Sequence, residues 1–271
     1  MVTENETPVH TVDKKMHEET LDVRGQRLRL QRDGDGSAVV FLHGAGGANW
    51  TPLHARLATN WQVIAPEHPG FGRSEIPEWM MSIGDLAFFY LDMLDRLDVD
   101  AVHLVGHSLG GWLAAEIAVR STKRIKSLSL MAPAGVSVPD APFDDIFLWT
   151  PEEGARRNYY SAELAEARIA AQGNVDMDLF LQNRAGLARL AWSPRLENPQ
   201  LHYWLHRIDV PTLLIWGRED RVIPYACHKP YVNAIPHAQL VTLDECGHAS
   251  HTEAADRVGS TLNDFFRSSS R

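Results

Sequence analysis

Short apolar runs alternate with amphipathic stretches along most of the chain. Six runs predict β-strands, at residues 38–42, 61–65, 102–105, 125–131, 212–216 and 239–243. Several of these runs are apolar almost throughout, as expected for strands that are covered on both faces of a parallel sheet. Their alternation with helical patterns predicts an α/β fold with a doubly wound, mostly parallel sheet.

The clearest helical pattern lies between the second and third predicted strands. Ser82, with Asp85 three residues later, has the pattern of a capping box at a helix N-terminus. Ile83, Leu86 and Tyr90 follow at helical spacing. This spacing predicts an amphipathic helix with one buried face.

The regular alternation stops between residues 136 and 208. This segment contains helical stretches but no convincing strand, and it is too long for an ordinary connection. We therefore expect a helical insertion, a lid, over one end of the sheet. The core of the fold then comprises residues 21–135 and 209–267, with loose tails at residues 1–20 and 267–271.

The composition fits one large domain with a mostly apolar interior. The chain has 271 residues, of which 44% are hydrophobic, and a formal net charge of −9. The negative charge argues against nucleic acid or an anionic membrane as the main partner. No stretch approaches the ~18 apolar residues of a membrane span, and the polar start lacks the apolar core of a secretory signal. With only Cys227 and Cys246 present, a cytoplasmic protein with reduced thiols is favoured over a disulfide.

A serine between two glycines joins the third predicted strand to a helical pattern, in the stretch VGHSLGG. This context is typical of a nucleophile elbow. Side chains at Gly106 and Gly110 would collide with neighbouring backbone, and the helix N-terminus behind Ser108 offers N–H groups to a developing oxyanion. Ser108 is therefore the candidate nucleophile, and a structural turn with an incidental serine is the alternative.

A serine nucleophile needs a base and a group that orients the base. His248 lies on a loop after the last predicted strand and is the candidate base, with His251 as the runner-up. Asp220 follows the strand at residues 212–216 and is the candidate acid, with Glu219 as the alternative. The resulting chain order, Ser, Asp, His, is the order found in α/β-hydrolases.

A glycine-rich loop after the first predicted strand, FLHGAGGANW, offers the second half of an oxyanion hole. The N–H of Ala45 would form a donor pair with the N–H of Leu109, and Gly46 is the alternative to Ala45. A phosphate loop is excluded because no Gly-Lys-Ser/Thr follows. A dinucleotide site is excluded because Asn49 occupies the third glycine position.

Four motifs in this order, HGAGG, GHSLGG, GREDRVIP and GHASHTE, resemble those of the α/β-hydrolase superfamily, and the resemblance extends from about residue 25 to residue 267. It implies that Ser108 is the nucleophile, His248 the general base and Asp220 the carboxylate that orients it. It also implies a small-molecule substrate and no metal or organic cofactor. Both a monomer and a homodimer are compatible with it.

The resemblance implies a carboxylic-ester hydrolase as the leading reaction, because an aspartate replaces Ser108 in the dehalogenases and epoxide hydrolases of this fold. Hydrolases of aromatic ring-cleavage products, which break a C–C bond, usually carry Asn before the serine and Trp after the catalytic histidine. Here those positions hold His107 and Ala249. A C–C bond hydrolase, a cofactor-free perhydrolase or haloperoxidase, and a ligand-binding receptor with vestigial activity are the alternatives.

The predicted lid is rich in aromatic residues and arginines. We expect a mostly apolar substrate of small to medium size, in a pocket that includes His107, Trp149 and Trp192. Three arginines of the segment are candidates to hold a substrate carboxylate: Arg184, Arg189 and Arg195.

Overall fold

The computed structural model describes residues 16–171 and 176–269, in which eight strands form one sheet. The strands are β1 (His17–Val23), β2 (Gln26–Asp33), β3 (Ala38–Leu42), β4 (Gln62–Pro66), β5 (Val102–His107), β6 (Ile125–Met131), β7 (Thr212–Gly217) and β8 (Gln239–Leu243). Their order across the sheet is β1-β2-β4-β3-β5-β6-β7-β8. The pairs from β4 to β8 are parallel, and the β1–β2 and β2–β4 pairs are antiparallel. The predicted mostly parallel α/β sheet is confirmed.

The same residues form ten α-helices. They are α1 (Pro52–Ala58), α2 (Ile83–Arg96), α3 (Leu109–Arg120), α4 (Pro151–Asn158), α5 (Ala162–Ala170), α6 (Met177–Ala191), α7 (Leu201–Trp204), α8 (His228–Ala234), α9 (Ser250–Glu253) and α10 (Ala255–Ser269). At the start of α2 the Ser82 hydroxyl accepts the Asp85 N–H at 3.1 Å and donates to the Asp85 carboxylate at 2.8 Å. The predicted N-cap at Ser82 therefore forms, but the reciprocal half of the capping box does not, because the Asp85 carboxylate accepts the Met81 N–H at 3.0 Å instead of the Ser82 N–H.

Helices cover the sheet on both faces, and the strand sequences show why. Val39 and Phe41 of β3 pack into a core formed with α1 and α10. Val40 and Leu42 of the same strand pack into a second core formed with α2 and α3. Because successive side chains of a strand point to opposite faces, a strand buried on both sides is apolar at every position.

Strands β1 and β2 were not among the six predicted strands. β1 begins at His17, so residues 17–20 belong to the sheet and not to a loose tail. β1 is an edge strand whose first four side chains are exposed, so its sequence carries no apolar signal. Likewise, α10 extends to Ser269, into the predicted C-terminal tail, with Phe265 and Phe266 buried. Residues 1–15 of the predicted N-terminal tail lie outside the described residues.

Residues 136–208, which we call the helical segment, hold α4 to α7 in their described part. The start of the segment is bonded to its residues 196–198, because the Gly135 N–H donates to the Leu196 carbonyl at 3.1 Å and the Asn198 N–H donates to the Gly135 carbonyl at 2.8 Å. Asn198 also donates to the buried Glu116 carboxylate on α3 at 2.8 Å. Residues 196–198 thus return to the start of the segment beside α3.

None of the helices in the described residues is long and apolar enough to cross a membrane. Cys227 and Cys246 are both free and buried. Burial raises the pKa of the Cys227 thiol to about 11 and that of Cys246 to about 12, so both stay protonated at neutral pH.

Two glycine-to-alanine substitutions are expected to have opposite effects on stability. A Cβ on Gly110 would lie 2.1 Å from the Leu42 carbonyl oxygen, whereas a Cβ on Gly154 in α4 would have no atom within 4 Å. Gly110→Ala should lower the free energy of unfolding by about 3 kcal/mol or more. Gly154→Ala should raise it by about 0.5–1 kcal/mol because alanine favours a helix interior. Urea unfolding of both variants tests this, and equal effects would contradict it.

Candidate active site

The turn between β5 and α3 holds Ser108 in a strained backbone conformation. Ser108 has φ +56° and ψ −116°, which persists only when the surroundings hold it. A Cβ on Gly106 would lie 2.1 Å from the Gly110 carbonyl oxygen, and one on Gly110 would lie equally close to that of Leu42. Backbone contacts on both sides therefore require glycine at the two positions that flank the serine.

The candidate acid and base meet in a buried hydrogen bond. His248 Nδ1 lies 2.7 Å from Asp220 Oδ2, and both side chains are almost fully buried. Asp220 Oδ1 accepts the N–H groups of Val222 and Ile223 at 2.8 and 2.9 Å. Because two amides hold one carboxylate oxygen, the other is directed at the imidazole, whose Nδ1–H donates to it. This arrangement leaves His248 Nε2 as the basic nitrogen.

Glu219, the alternative acid, has a different partner. Its Oε2 accepts the Cys246 N–H at 3.0 Å, and its own N–H donates to the Cys246 carbonyl at 3.2 Å. Glu219 therefore holds the loop that leads to His248, while Asp220 contacts the ring.

The loop of His248 is also tied to the helical segment. Glu253 accepts the Gly247 N–H at 2.7 Å on one carboxylate oxygen and the Ser161 N–H at 2.6 Å on the other. The Ala249 N–H donates to the Asn158 carbonyl at 2.9 Å. The junction between α4 and α5 and the candidate base are consequently held in one hydrogen-bonded unit.

Two further histidines pack beside the candidate base. The His107 ring lies 4.7 Å from that of His248 and 4.3 Å from that of His251, measured between centroids. His107 Nε2 donates to the His248 carbonyl at 2.9 Å. The Nδ1 of His251, the runner-up base, is buried without a partner among the described residues. The structure therefore brings His107 to the site and pairs Asp220 with His248.

The glycine-rich loop after β3 lies directly against the candidate nucleophile. A Cβ on Gly44 would lie 3.2 Å from Ser108 Cβ. The Gly44 carbonyl accepts the Gly47 N–H at 3.2 Å, which closes a turn around Ala45. Leu109 begins α3, so its N–H has no acceptor inside the helix. The two predicted oxyanion donors, the N–H groups of Ala45 and Leu109, thus belong to the residues that directly follow Gly44 and Ser108, which lie against each other.

Gly46, the alternative donor, lies at the exposed end of the same turn. Its carbonyl accepts Asn183 Nδ2 of α6 at 3.4 Å, and Asn183 Oδ1 accepts the Gly72 N–H at 2.7 Å. Asn183 therefore joins the helical segment to two loops of the core.

Ser108 and His248 open onto a cavity of about 630 Å³. The predicted pocket residue Trp149 lines it. Trp192 does not line it, since this side chain is 51% exposed and its ring lies 4.1 Å from the Arg195 guanidinium. Other lining residues from the helical segment are Ile146, Tyr159, Met177, Phe180 and Leu187.

Arg184 places a guanidinium at the same cavity. It donates to the carbonyls of Ile146 and Trp149 at 2.6 and 3.2 Å, and burial lowers its pKa. Within residues 16–171 and 176–269 it forms no ion pair. The other two candidates have partners elsewhere, because Arg189 donates to three backbone carbonyls and Arg195 forms an ion pair with a carboxylate. Arg184 is thus the candidate cation for a bound carboxylate.

Two histidines that sequence reasoning did not single out as site residues, His43 and His54, also line the cavity, as does His251, the runner-up base. Burial lowers the pKa of His43 to about 4, that of His54 to about 3 and that of His251 to about 4. All three are therefore neutral at pH 7. In the part of the chain that the structure describes, no three His, Cys, Asp or Glu side chains converge as metal ligands would. The only sequence signal for His43 is its position directly before the glycine-rich loop.

The chain is similar to several known proteins along most of its length. The chain is 31% identical to a 2-hydroxymuconate semialdehyde hydrolase of Pseudomonas sp. (strain CF600), covering 89% of this chain and 90% of that protein. It is 30% identical to the dihydrolipoyllysine-residue acetyltransferase component of the acetoin cleaving system of Pseudomonas putida, covering 91% of this chain and 68% of that protein. A solved meta-cleavage product hydrolase from Pseudomonas fluorescens IP01 superposes with a TM-score of 0.78 at 25% identity, over 92% of this chain and 97% of that one.

The sheet order, the strained serine turn and the buried Asp–His pair together define a hydrolase of the α/β fold. A model of the alpha/beta hydrolase family matches residues 39–260. The chain belongs to this family, as the sequence motifs implied.

The buried neutral histidines predict that acid destabilises the fold. His103 on β5 joins them, with its pKa lowered by burial to about 4. Between pH 6.5 and about 4 these histidines are protonated in the unfolded chain but remain neutral in the folded chain. The free energy of unfolding therefore falls as the pH falls through this range. Each such group contributes at most roughly 1.4 kcal/mol per pH unit.

Urea midpoints measured between pH 7.5 and pH 4.5 test this expectation. His103→Phe, which removes one of these groups, should show a shallower pH dependence than the wild type. A midpoint that stays constant down to pH 4.5 would contradict the account.

Proposed function

We propose that the protein is a serine hydrolase that cleaves a C–C bond in a carboxylate-bearing product of aromatic ring cleavage. The single observation that carries the reaction type is the buried Asp220–His248 hydrogen bond at the cavity onto which Ser108 opens. The relatives named for hydrolysis of 2-hydroxymuconate semialdehyde and of meta-cleavage products support the substrate class.

In this mechanism Ser108 Oγ attacks the substrate ketone while His248 Nε2 takes the hydroxyl proton. The N–H groups of Ala45 and Leu109 stabilise the oxyanion of the tetrahedral intermediate. The C–C bond then breaks, and the carbon that leaves receives the proton from His248. Water that gives a proton to His248 attacks the acyl-enzyme, so the carboxylic acid is released and Ser108 is regenerated.

A carbon leaving group needs a conjugated sink for its electron pair, and the 2-oxo tautomer of a 2-hydroxydienoate supplies one, so this tautomer must form before the C–C bond breaks. Arg184 suits such a substrate because its guanidinium, which forms no ion pair within the described residues, lines the cavity beside the ring of Phe180. The helical segment would act as the lid, since Trp149, Phe180 and Arg184 form part of the cavity wall. Exclusion of water by a bound substrate would strengthen each charged contact inside the cavity.

Carboxylic-ester hydrolysis is the second candidate. It uses the same serine, base and oxyanion donors, with an alkoxide in place of the carbon leaving group. His107 and Ala249 favour it, because these positions depart from the Asn and Trp typical of the C–C hydrolases.

The substrate preference and the role of Ser108 are tested together. The wild type should hydrolyse a 2-hydroxy-6-oxodienoate with a higher kcat/KM than p-nitrophenyl esters of C2 to C12 acids. Ser108→Ala should lower kcat on both by about 10⁶ if serine, base and acid act as a unit. A preference for the esters would favour the second candidate, and no turnover of either substrate by folded wild type would contradict both.

Arg184→Gln should raise KM for the dienoate by roughly tenfold to a hundredfold, as expected for the loss of a charged hydrogen bond. KM for a neutral ester should change little, because it has no carboxylate to bind. Arg189→Gln is the matched control, since Arg189 contacts backbone carbonyls outside the cavity. Equal effects of Arg184→Gln on both substrates would show that Arg184 only supports the local structure.

A further inference from the structure

A chain of buried hydrogen bonds runs from α2 to the glycine-rich loop. The Tyr90 hydroxyl lies 2.5 Å from His68 Nδ1, and His68 Nε2 lies 3.0 Å from the His43 carbonyl oxygen. The His68 N–H donates to His43 Nε2 at 3.0 Å, and His43 Nδ1 lies 2.7 Å from the Gly44 carbonyl oxygen. The two imidazole rings stack with centroids 3.7 Å apart.

The partners along this chain determine which nitrogen carries the proton on each ring. The backbone N–H of His68 is only a donor, so His43 Nε2 must accept and the proton of the neutral ring lies on Nδ1. His43 Nδ1–H therefore donates to Gly44. In the same way His68 Nε2 faces a carbonyl and must donate, which leaves Nδ1 to accept the hydrogen of Tyr90.

Burial keeps both rings in these states. His68 and Tyr90 are fully buried and His43 is 6% exposed. Burial lowers the pKa of His43 to about 4, holds that of His68 well below 6.5 and raises that of Tyr90 well above 10. At neutral pH each group keeps the proton that its hydrogen bond requires.

The last bond in the chain fixes the direction of a peptide group. The Gly44–Ala45 peptide is trans, because the only cis bond in the described residues is Ser193–Pro194. In a trans peptide the carbonyl and the following N–H point to opposite sides. The Gly44 carbonyl is held by His43 and Gly47, so the Ala45 N–H points away from both.

We propose that His43 and His68, supported by Tyr90, are positioning residues that set the Gly44–Ala45 peptide so that the Ala45 N–H meets the oxyanion formed at Ser108. The inference rests on the proposed serine mechanism. It also selects Ala45 over Gly46 as the donor from this loop. Preorganised donors of this kind need no reorientation as the charge develops.

The test uses phosphonylation of Ser108 by a p-nitrophenyl alkylphosphonate, which does not depend on the natural substrate. Ser108 Oγ forms a bond to phosphorus, the bond to p-nitrophenolate breaks, and the serine proton passes to His248. The phosphoryl oxygen gains charge in the transition state and needs the same N–H donors. Release of p-nitrophenolate measures the second-order rate constant.

His43→Phe should lower this rate constant by roughly tenfold to a hundredfold, below the ~10²–10³ that the loss of a whole oxyanion donor costs. His43→Asn should recover part of the rate, because its amide nitrogen replaces Nδ1 as a donor to Gly44. Tyr90→Phe should have a smaller effect. His103→Phe is the matched control, since His103 is equally buried and bonds to Ser127 on β6, away from the loop.

A second readout separates positioning from folding. For a hydrolysed substrate, His43→Phe should lower kcat with KM little changed, and substrate affinity in a Ser108→Ala background should be the same with and without it. A wild-type rate constant for His43→Phe, or a loss matched by His103→Phe, would overturn the inference.

The same assay distinguishes this inference from the proposed reaction. If the wild type is phosphonylated and His43→Phe is slow but no dienoate or ester is turned over, the proposed reaction fails and the positioning role stands. If the dienoate is turned over but His43→Phe reacts normally, only the positioning role fails. A wild type that is not phosphonylated would contradict both.

Discussion

Close approach of backbone to backbone around Ser108 is the constraint on which the rest of the site depends. The end of β3, the end of β5 and the start of α3 meet so tightly that Gly106 and Gly110 admit no side chain. The same approach holds Ser108 at a positive φ and brings Gly44 against it. Because rigid elements of the sheet hold these contacts, Ser108 and the glycine-rich loop have a fixed relation before any substrate binds.

The buried polar side chains near Ser108 have hydrogen-bond partners that fix the orientation of each side chain. One oxygen of Asp220 is taken by two amides, so the other is available to His248. Glu253 accepts N–H groups from both the His248 loop and the helical segment. In a site of low dielectric such bonds are strong and directional, so they hold the His248 loop and the helical segment in one arrangement.

The sequence was informative where burial leaves a pattern. Strands β3 to β8 could be predicted from their short apolar runs, which in β3 and β7 are buried at every position. The strained turn at Ser108 could be predicted because it demands glycine on both sides. β1 was missed, since an exposed edge strand has no such pattern. The pairing of His43 with His68 spans 25 positions, and no local rule reveals it. Trp192 was expected in the cavity because it is an aromatic residue of the predicted lid. The sequence does not show which side of the lid such a residue faces, and in the structure Trp192 is half exposed beside Arg195.

The kcat of the Asp220→Asn variant with the dienoate tests most directly the central claim that Ser108, His248 and Asp220 act together. The substitution keeps the shape of the side chain but allows the amide to donate, which favours the wrong tautomer of His248. The account predicts a loss in kcat on the order of 10⁴ with an unchanged melting temperature and KM. A variant that is folded and retains the wild-type kcat within a factor of a few would contradict the serine mechanism.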